Sequence, residues 1–236
     1  MPPAPEAPIG VAGFPTAARA TTLVIGCGAL GRELLALVRR NGLDEVEVRC
    51  LPAGLHNRPE RIAAAVDERI RAARGRYRSI FVAYGDCGTG GALDRVLAAH
   101  RVERLPGAHC YEIYAGADAF ARLAEEEPGT FYLTDFLARS FERLVIEGLG
   151  LDRHPELQPL YFARYRRLVY LSQRDDPELL DLARRAAARL GLAFEHRPTG
   201  YGDLEPAIAA LRSPGPARPA IAAAPAGPGT AVAGRG

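Results

Sequence analysis

Apolar and polar residues along this chain follow two rhythms. Short, nearly continuous apolar runs such as "TLVIG" at 22–26, "SIFVAYG" at 79–85 and "RLVYLSQ" at 167–173 predict buried strands. Longer stretches between them carry apolar residues three and four apart. In "RPERIAAAVDERIRAARGR", Ile62, Val66 and Ile70 share one helical face and Pro59 suits a helix start. "ALGRELLALVRRNG" reads as a helix closed by Gly42. "EVEVRCL", "RVERL", "TFYLT" and "AFEHR" add strands. "GALDRVLAAH", "YEIYAGADAFARLAEEE", "DFLARSFERLVIEGLG", "PELQPLYFARY", "DPELLDLARRAAARLG" and "GDLEPAIAALR" add helices.

This alternation predicts an α/β, Rossmann-like fold: a mainly parallel sheet with helices on both faces, and room for a division into two lobes. Ligands of such sheets bind at the carboxyl ends of the strands. Composition sets the limits. Residues 1–20 are Pro/Ala-rich and 213–236 Pro/Gly/Ala-rich, which predicts disorder at both ends and one α/β domain over 21–212.

The chain has 236 residues and a formal net charge of +2, so charge offers no argument for nucleic acid or membrane as a partner. Every basic residue is arginine, which removes Schiff-base and P-loop lysine chemistry. None of the four serines lies in G-x-S-x-G. No 18-residue apolar run occurs, and residues 1–20 lack the basic start and apolar core of a signal peptide. A cytoplasmic protein acting on a small molecule is expected. In a reducing compartment, four cysteines direct attention to metal or thiol chemistry rather than to disulfides.

Two glycine turns frame that chemistry. "GCGALG" places Gly26, Gly28 and Gly31 in the dinucleotide pattern G-x-G-x-x-G between strand and helix. The second strand then ends "VRCLP", with no acidic residue for a ribose. A dinucleotide-dependent oxidoreductase is therefore the alternative reading. "YGDCGTGG" repeats the turn with Gly85 and Gly88. What the turns share is a cysteine ahead of a helix, where unpaired N–H groups favour a thiolate. "GAHCYE" repeats the arrangement once more. Cys27, Cys87 and Cys110 are thus expected on one sheet edge as ligands of zinc or of an iron–sulfur cluster. Cys50 lacks the glycine turn and ranks lower. His109 and Glu112 are candidate proton carriers, and His56 is a candidate fourth ligand. Asp86 is a candidate for orienting a ligand. Asp135 and Arg139 have the i, i+4 spacing of a helical ion pair.

"VIGCGALGREL", "LPAGLHNRPERI", "YGDCGTGGALD", "GAHCYEIYAG", "PGTFYLTDFLAR" and "LGLDRHPEL" resemble the bacterial and archaeal family called domain of unknown function 1638, over about residues 21–212. The resemblance implies that the three cysteine turns belong to the family pattern. It also implies a place beside corrinoid-dependent methyltransferase systems. There the partner is a corrinoid protein or methyltransferase, and the role is a metal-dependent methyltransferase or a non-enzymatic carrier of metal or corrinoid.

Overall fold

The computed structural model describes residues 20–212. The segments 1–20 and 213–236, expected to be disordered, lie outside those residues except for Ala20. The elements run β1 (Thr22–Cys27), α1 (Gly31–Arg40), β2 (Val46–Leu51), α2 (Ile62–Ala73), β3 (Ser79–Ala83), α3 (Ala92–His100), β4 (Glu103–Arg104), α4 (Cys110–Ala115) and α5 (Ala117–Glu126). They continue β5 (Thr130–Leu133), α6 (Asp135–Arg139), α7 (Gln158–Phe162), β6 (Arg167–Ser172), α8 (Pro177–Leu190), β7 (Ala193–Pro198) and α9 (Leu204–Ala209). Each matches a segment that the apolar rhythm predicted, β1, α4 and β7 extending one residue beyond theirs to take in Cys27, Cys110 and Pro198.

Among the described residues all strand pairing is parallel, in two sheets rather than one. The first has the order β2-β1-β3-β4 and the second β5-β6-β7. Each has its own apolar core. Leu23, Val24, Ile25, Ile62, Val66, Ile70 and Val82 fill the first, and Leu133, Leu168, Ala183 and Ala187 belong to the second. The chain is Rossmann-like α/β in two lobes. Its last helix does not stay with the second. Leu204 and Ile208 of α9 bury themselves in the first core, and the Asp203 N–H bonds the Ile113 carbonyl at 2.8 Å. The chain therefore crosses between the lobes twice, between Tyr114 and Phe131 and between Phe194 and Leu204.

Two expected helices are modified. The single helix over 111–127 divides into α4 and α5 at Gly116, whose φ of 78° no right-handed helix admits. The helix over 135–150 is regular only to Arg139 and continues at Glu142–Glu147 as a π-helical segment. Other ends follow the expected chemistry. The Asp176 carboxylate accepts from the Glu178 and Leu179 N–H groups at the start of α8, and Gly191 ends that helix with φ 73°. No helix among the described residues is long and apolar enough to cross a membrane.

Strand order fixes where ligands belong. From β1 the chain moves outward to β2, then returns to place β3 on the other side of β1. The β1/β3 boundary is thus the topological switch point of the first sheet, where the connections leave in opposite directions and open a crevice at the carboxyl ends.

Candidate functional site

Cys27 is the last residue of β1 and is 3% exposed. Its sulfur accepts the Ala29 N–H at 3.3 Å and so caps the 3-10 turn Gly28–Leu30 that leads into α1. The sulfur therefore sits at the positive end of that helical run.

Across the switch point, β3 ends at Ala83 and is followed by the fully buried Tyr84 and the turn carrying Cys87. Two backbone bonds tie this turn to the loop before α4: Asp86 N–H to Gly107 O at 3.0 Å and Cys87 N–H to Ala108 O at 2.6 Å. A Cβ at Gly85 would stand 3.0 Å from the His109 backbone, so the two loops approach as closely as glycine allows. Asp86 shapes the turn from within. Its carboxylate accepts from the Thr89 hydroxyl at 2.5 Å, Gly91 N–H at 3.0 Å and Gly90 N–H at 3.2 Å. Burial raises its pKa, but these donors outweigh it and hold the carboxyl below its usual range. Asp86 thus orients Cys87 through the backbone. Cys87 itself has φ 52°, the left-handed region that a residue with a Cβ enters at a cost.

His56 comes from the 3-10 segment Ala53–Asn57 that follows β2. Its Nδ1 lies 3.1 Å from the Ala53 carbonyl and 3.7 Å from Cys27 Sγ. A carbonyl only accepts, so Nδ1 carries the hydrogen. Its ring stacks on Tyr84, centroids 6.5 Å apart. Burial alone would lower the imidazole pKa. Hydrogen bonds to the Cys27 and Cys87 sulfurs, and the charges of those groups, push it up to about 11. The Cys110 thiol is pushed well up by burial, and further by Cys87 and Cys27. Cys27, His56, Cys87, Tyr84 and Cys110 thus share one edge around the switch point.

Among the described residues, no group of three or more His, Cys, Asp or Glu side chains is arranged to hold a metal ion as it stands. All four cysteines are free. Cys50 packs against α1, its sulfur 3.2 Å from where a Cβ on Gly31 would lie, and burial pushes its thiol up to about 12.

The other candidates have local structural partners. Glu112 accepts the Ala108 N–H at 2.7 Å and closes the loop that precedes α4. His109 is the N-cap residue of that helix, and its ring packs against Tyr111 and Phe120 at centroid distances of 5.4 and 5.0 Å. Burial lowers its pKa. Gly26, Gly28 and Gly31 have packing duties. A Cβ on Gly28 would meet the Leu51 carbonyl at 2.9 Å and Ala53 N at 3.0 Å, and one on Gly26 would run into Leu34. The approach that a pyrophosphate makes to a dinucleotide turn is made here by the chain after β2. Gly88, with φ 81°, turns the backbone beside Pro59.

The second lobe brings Asp135 and Arg139 to this side, with partners that their spacing did not announce. Asp135, fully buried, accepts from Tyr170 Oη at 2.8 Å and Gln173 N–H at 3.0 Å, with Arg174 at 3.5 Å. Its own N–H donates to Gln173 Oε1 at 2.8 Å. The i, i+4 pair with Arg139 does not form. Arg139 instead turns to Glu33 of α1, 3.6 Å away across the lobes. Glu33 is 3% exposed, and burial raises its carboxyl pKa more than Arg139 lowers it. A charged residue on the buried side of α1, four positions from Leu37, was the available signal for this contact.

No curated protein and no solved structure matches the chain significantly. One family does match, over residues 50–208, a span that takes in His56, Cys87 and Cys110 and begins after Cys27. The chain belongs to that family, described as a protein of unknown function, DUF1638.

Proposed function

We propose that this is a metal–thiolate protein of the cytoplasm, in which Cys27, Cys87 and Cys110 bind zinc beside His56 and serve the transfer of a one-carbon group. The observation that carries this reading is the position of His56, whose Nδ1 lies 3.7 Å from Cys27 Sγ and whose imidazole pKa is also raised by Cys87. Sulfur and imidazole donors suit zinc and exclude magnesium or calcium as the natural occupant. Burial opposes ionisation of Cys110, and a divalent cation offsets that cost. The fit is one of donor chemistry, since closure around an ion requires the strand-end loops to adjust. Bound zinc would supply a lower thiol pKa and a persistent thiolate.

The remaining work falls to the chain. The Ala29 N–H and His56 Nδ1–H stabilise charge on Cys27, Asp86 fixes the Cys87 turn, and Tyr84 shields the site from water. A corrinoid protein as the partner in methyl exchange follows from the family resemblance and is part of this proposal. A second reading is favoured by the Cys27–His56 contact itself, which is formed without a third ligand: a metal-free thiolate–imidazolium pair acting as nucleophile.

Metal analysis of anaerobically purified full-length protein separates the two. The first reading expects one zinc per chain, lost in Cys87→Ser and in Cys110→Ser. Iron with sulfide in place of zinc would assign the same ligands to a cluster. Metal-free protein in which Cys27 is alkylated rapidly at neutral pH would overturn the metal reading and establish the second.

A further inference from the structure

The two sheets end in four edge strands, β2 and β4 in the first and β5 and β7 in the second. An edge strand offers its outward N–H and C=O groups to any strand that lies beside it. β4 has two residues and β5 four, so each offers only a short row. β2 and β7 have six each.

The ladder to the inner strand shows which groups face outward. The Thr22 N–H bonds the Glu45 carbonyl at 3.1 Å, in the register that sets Thr22 beside Val46. Alternate residues of a strand turn their N–H and C=O to opposite sides, so Glu47, Arg49 and Leu51 bond β1 while Val48 and Cys50 point outward. The Val46 carbonyl points outward too, and its N–H is taken by the Leu43 carbonyl at 3.0 Å. Among the described residues, β2 pairs with β1 alone. In β7 the Ala193 N–H bonds the Arg166 carbonyl at 3.1 Å, which turns Phe194, His196 and Pro198 outward. The proline ring puts carbon where a donor hydrogen would stand and holds a neighbouring strand off. β2 contains no proline. Nor does its helix layer close over it. A hollow of about 190 Å³ lies between Leu51 of β2 and Ala65, Glu68, Arg69 and Ala72 of α2.

The side chains of β2 select the partner. A two-fold axis normal to the sheet sets β2 of a second copy antiparallel to the first. With the axis at Val48, the two Val48 residues form a hydrogen-bonded pair, and each Cys50 N–H reaches the Val46 carbonyl of the other copy. Glu47 of each copy then lies opposite Arg49 of the other. These are non-hydrogen-bonded pairs, in which side chains stand closest. Within one chain Glu47 accepts from Arg49 Nε and Tyr77 Oη, both at 2.6 Å, and Arg49 remains 36% exposed. Four alternating charges thus surround the axis. An axis one residue earlier or later would set Glu47 against Glu47 or Arg49 against Arg49, so charge fixes the register.

We propose that the protein is a homodimer joined at β2, in which the two four-stranded sheets become one continuous sheet. This interface is independent of the thiolate reading given above.

Sedimentation equilibrium of the full-length protein at micromolar concentration should give twice the mass of the chain. Arg49→Glu and Glu47→Arg each set like charges opposite one another, and each should raise the dimer dissociation constant about tenfold or more. Mixing the two single variants should restore association, since one chain then offers only acidic and the other only basic side chains at these positions. The chain carrying both changes should dimerise like the unaltered protein. Arg197→Glu, at the corresponding place on β7, should leave association unchanged. Amide exchange in the unaltered protein provides the test if the swapped chains do not fold: the Val48 and Cys50 N–H groups should be protected in the dimer. A monomer at every concentration, a dissociation constant unchanged in both single variants, folded single variants that stay apart when mixed, a dimer lost in Arg197→Glu, or rapid exchange of both amides at every concentration overturns the β2 interface.

Discussion

His56 Nδ1 reaches Cys27 Sγ at 3.7 Å while donating to the Ala53 carbonyl at 3.1 Å. One N–H thus serves a backbone acceptor and a sulfur, so the segment after β2 is anchored at the carboxyl end of β1. His56→Gln should slow iodoacetamide alkylation of Cys27 in metal-free protein by about tenfold at pH 7, because the imidazole 3.7 Å from its sulfur is gone. Peptide mapping by mass spectrometry measures the rates residue by residue. Unchanged rates would show that His56 holds only the loop.

Cys87 has φ 52° without being glycine, so its thiol is kept at some cost in backbone energy, about 1–2 kcal/mol. Cys87→Gly should unfold at the same or a higher urea concentration than the unaltered protein, with metal and thiol reactivity lost together. Cys87→Val, branched at Cβ, should be the less stable of the two. A clear loss of stability in Cys87→Gly would mean that the side chain holds the turn.

Gly28→Ala places a methyl against the Leu51 carbonyl and the Ala53 nitrogen. Both neighbours are backbone and can yield only by shifting the segment that carries His56. A destabilisation of about 1–3 kcal/mol is expected, accompanied by slower alkylation of Cys27. A tightly held dinucleotide released when the unaltered protein is denatured would contradict this packing role.

Cys50 is held as the neutral thiol, its pKa pushed up to about 12 by burial, with Cys27 and Glu33 adding to the effect. Above pH about 9 the unfolded chain ionises this thiol and the folded chain does not. The unfolded state then binds fewer protons, so stability falls as pH rises, at up to about 1.4 kcal/mol per pH unit, until the folded thiol ionises. Urea melts of the unaltered protein and Cys50→Ala between pH 9 and 11 should diverge in slope, with the variant less sensitive to pH. Parallel slopes would place Cys50 in contact with water.

The local elements of this protein were readable because apolar spacing reports burial directly. Ile62, Val66 and Ile70 face the core as their spacing requires. Cys27 and Cys110 were equally readable, since each stands at the start of a helical run, but Cys87 lies four residues ahead of Gly91, the N-cap of α3, and the N–H groups expected to face its sulfur, those of Gly90 and Gly91, donate to Asp86 instead. Gly116 was visible in the sequence, but only its positive φ shows that it breaks the helix. Spacing also suggested a pair between Asp135 and Arg139. The structure gives each a partner from another element, because buried charges take the partners that tertiary packing brings nearest.

The sequence by itself determined the α/β rhythm, the strand ends and the cysteines placed on them, all of which depend on residues a few positions apart. Tertiary structure alone decided that the seven strands among the described residues form two sheets, that α9 returns to the first core, and that Glu33 and Arg139 meet across the lobes. Those outcomes depend on which apolar faces cover one another. Every predicted helix and strand has such a face, so the pattern along the chain is the same for one sheet as for two.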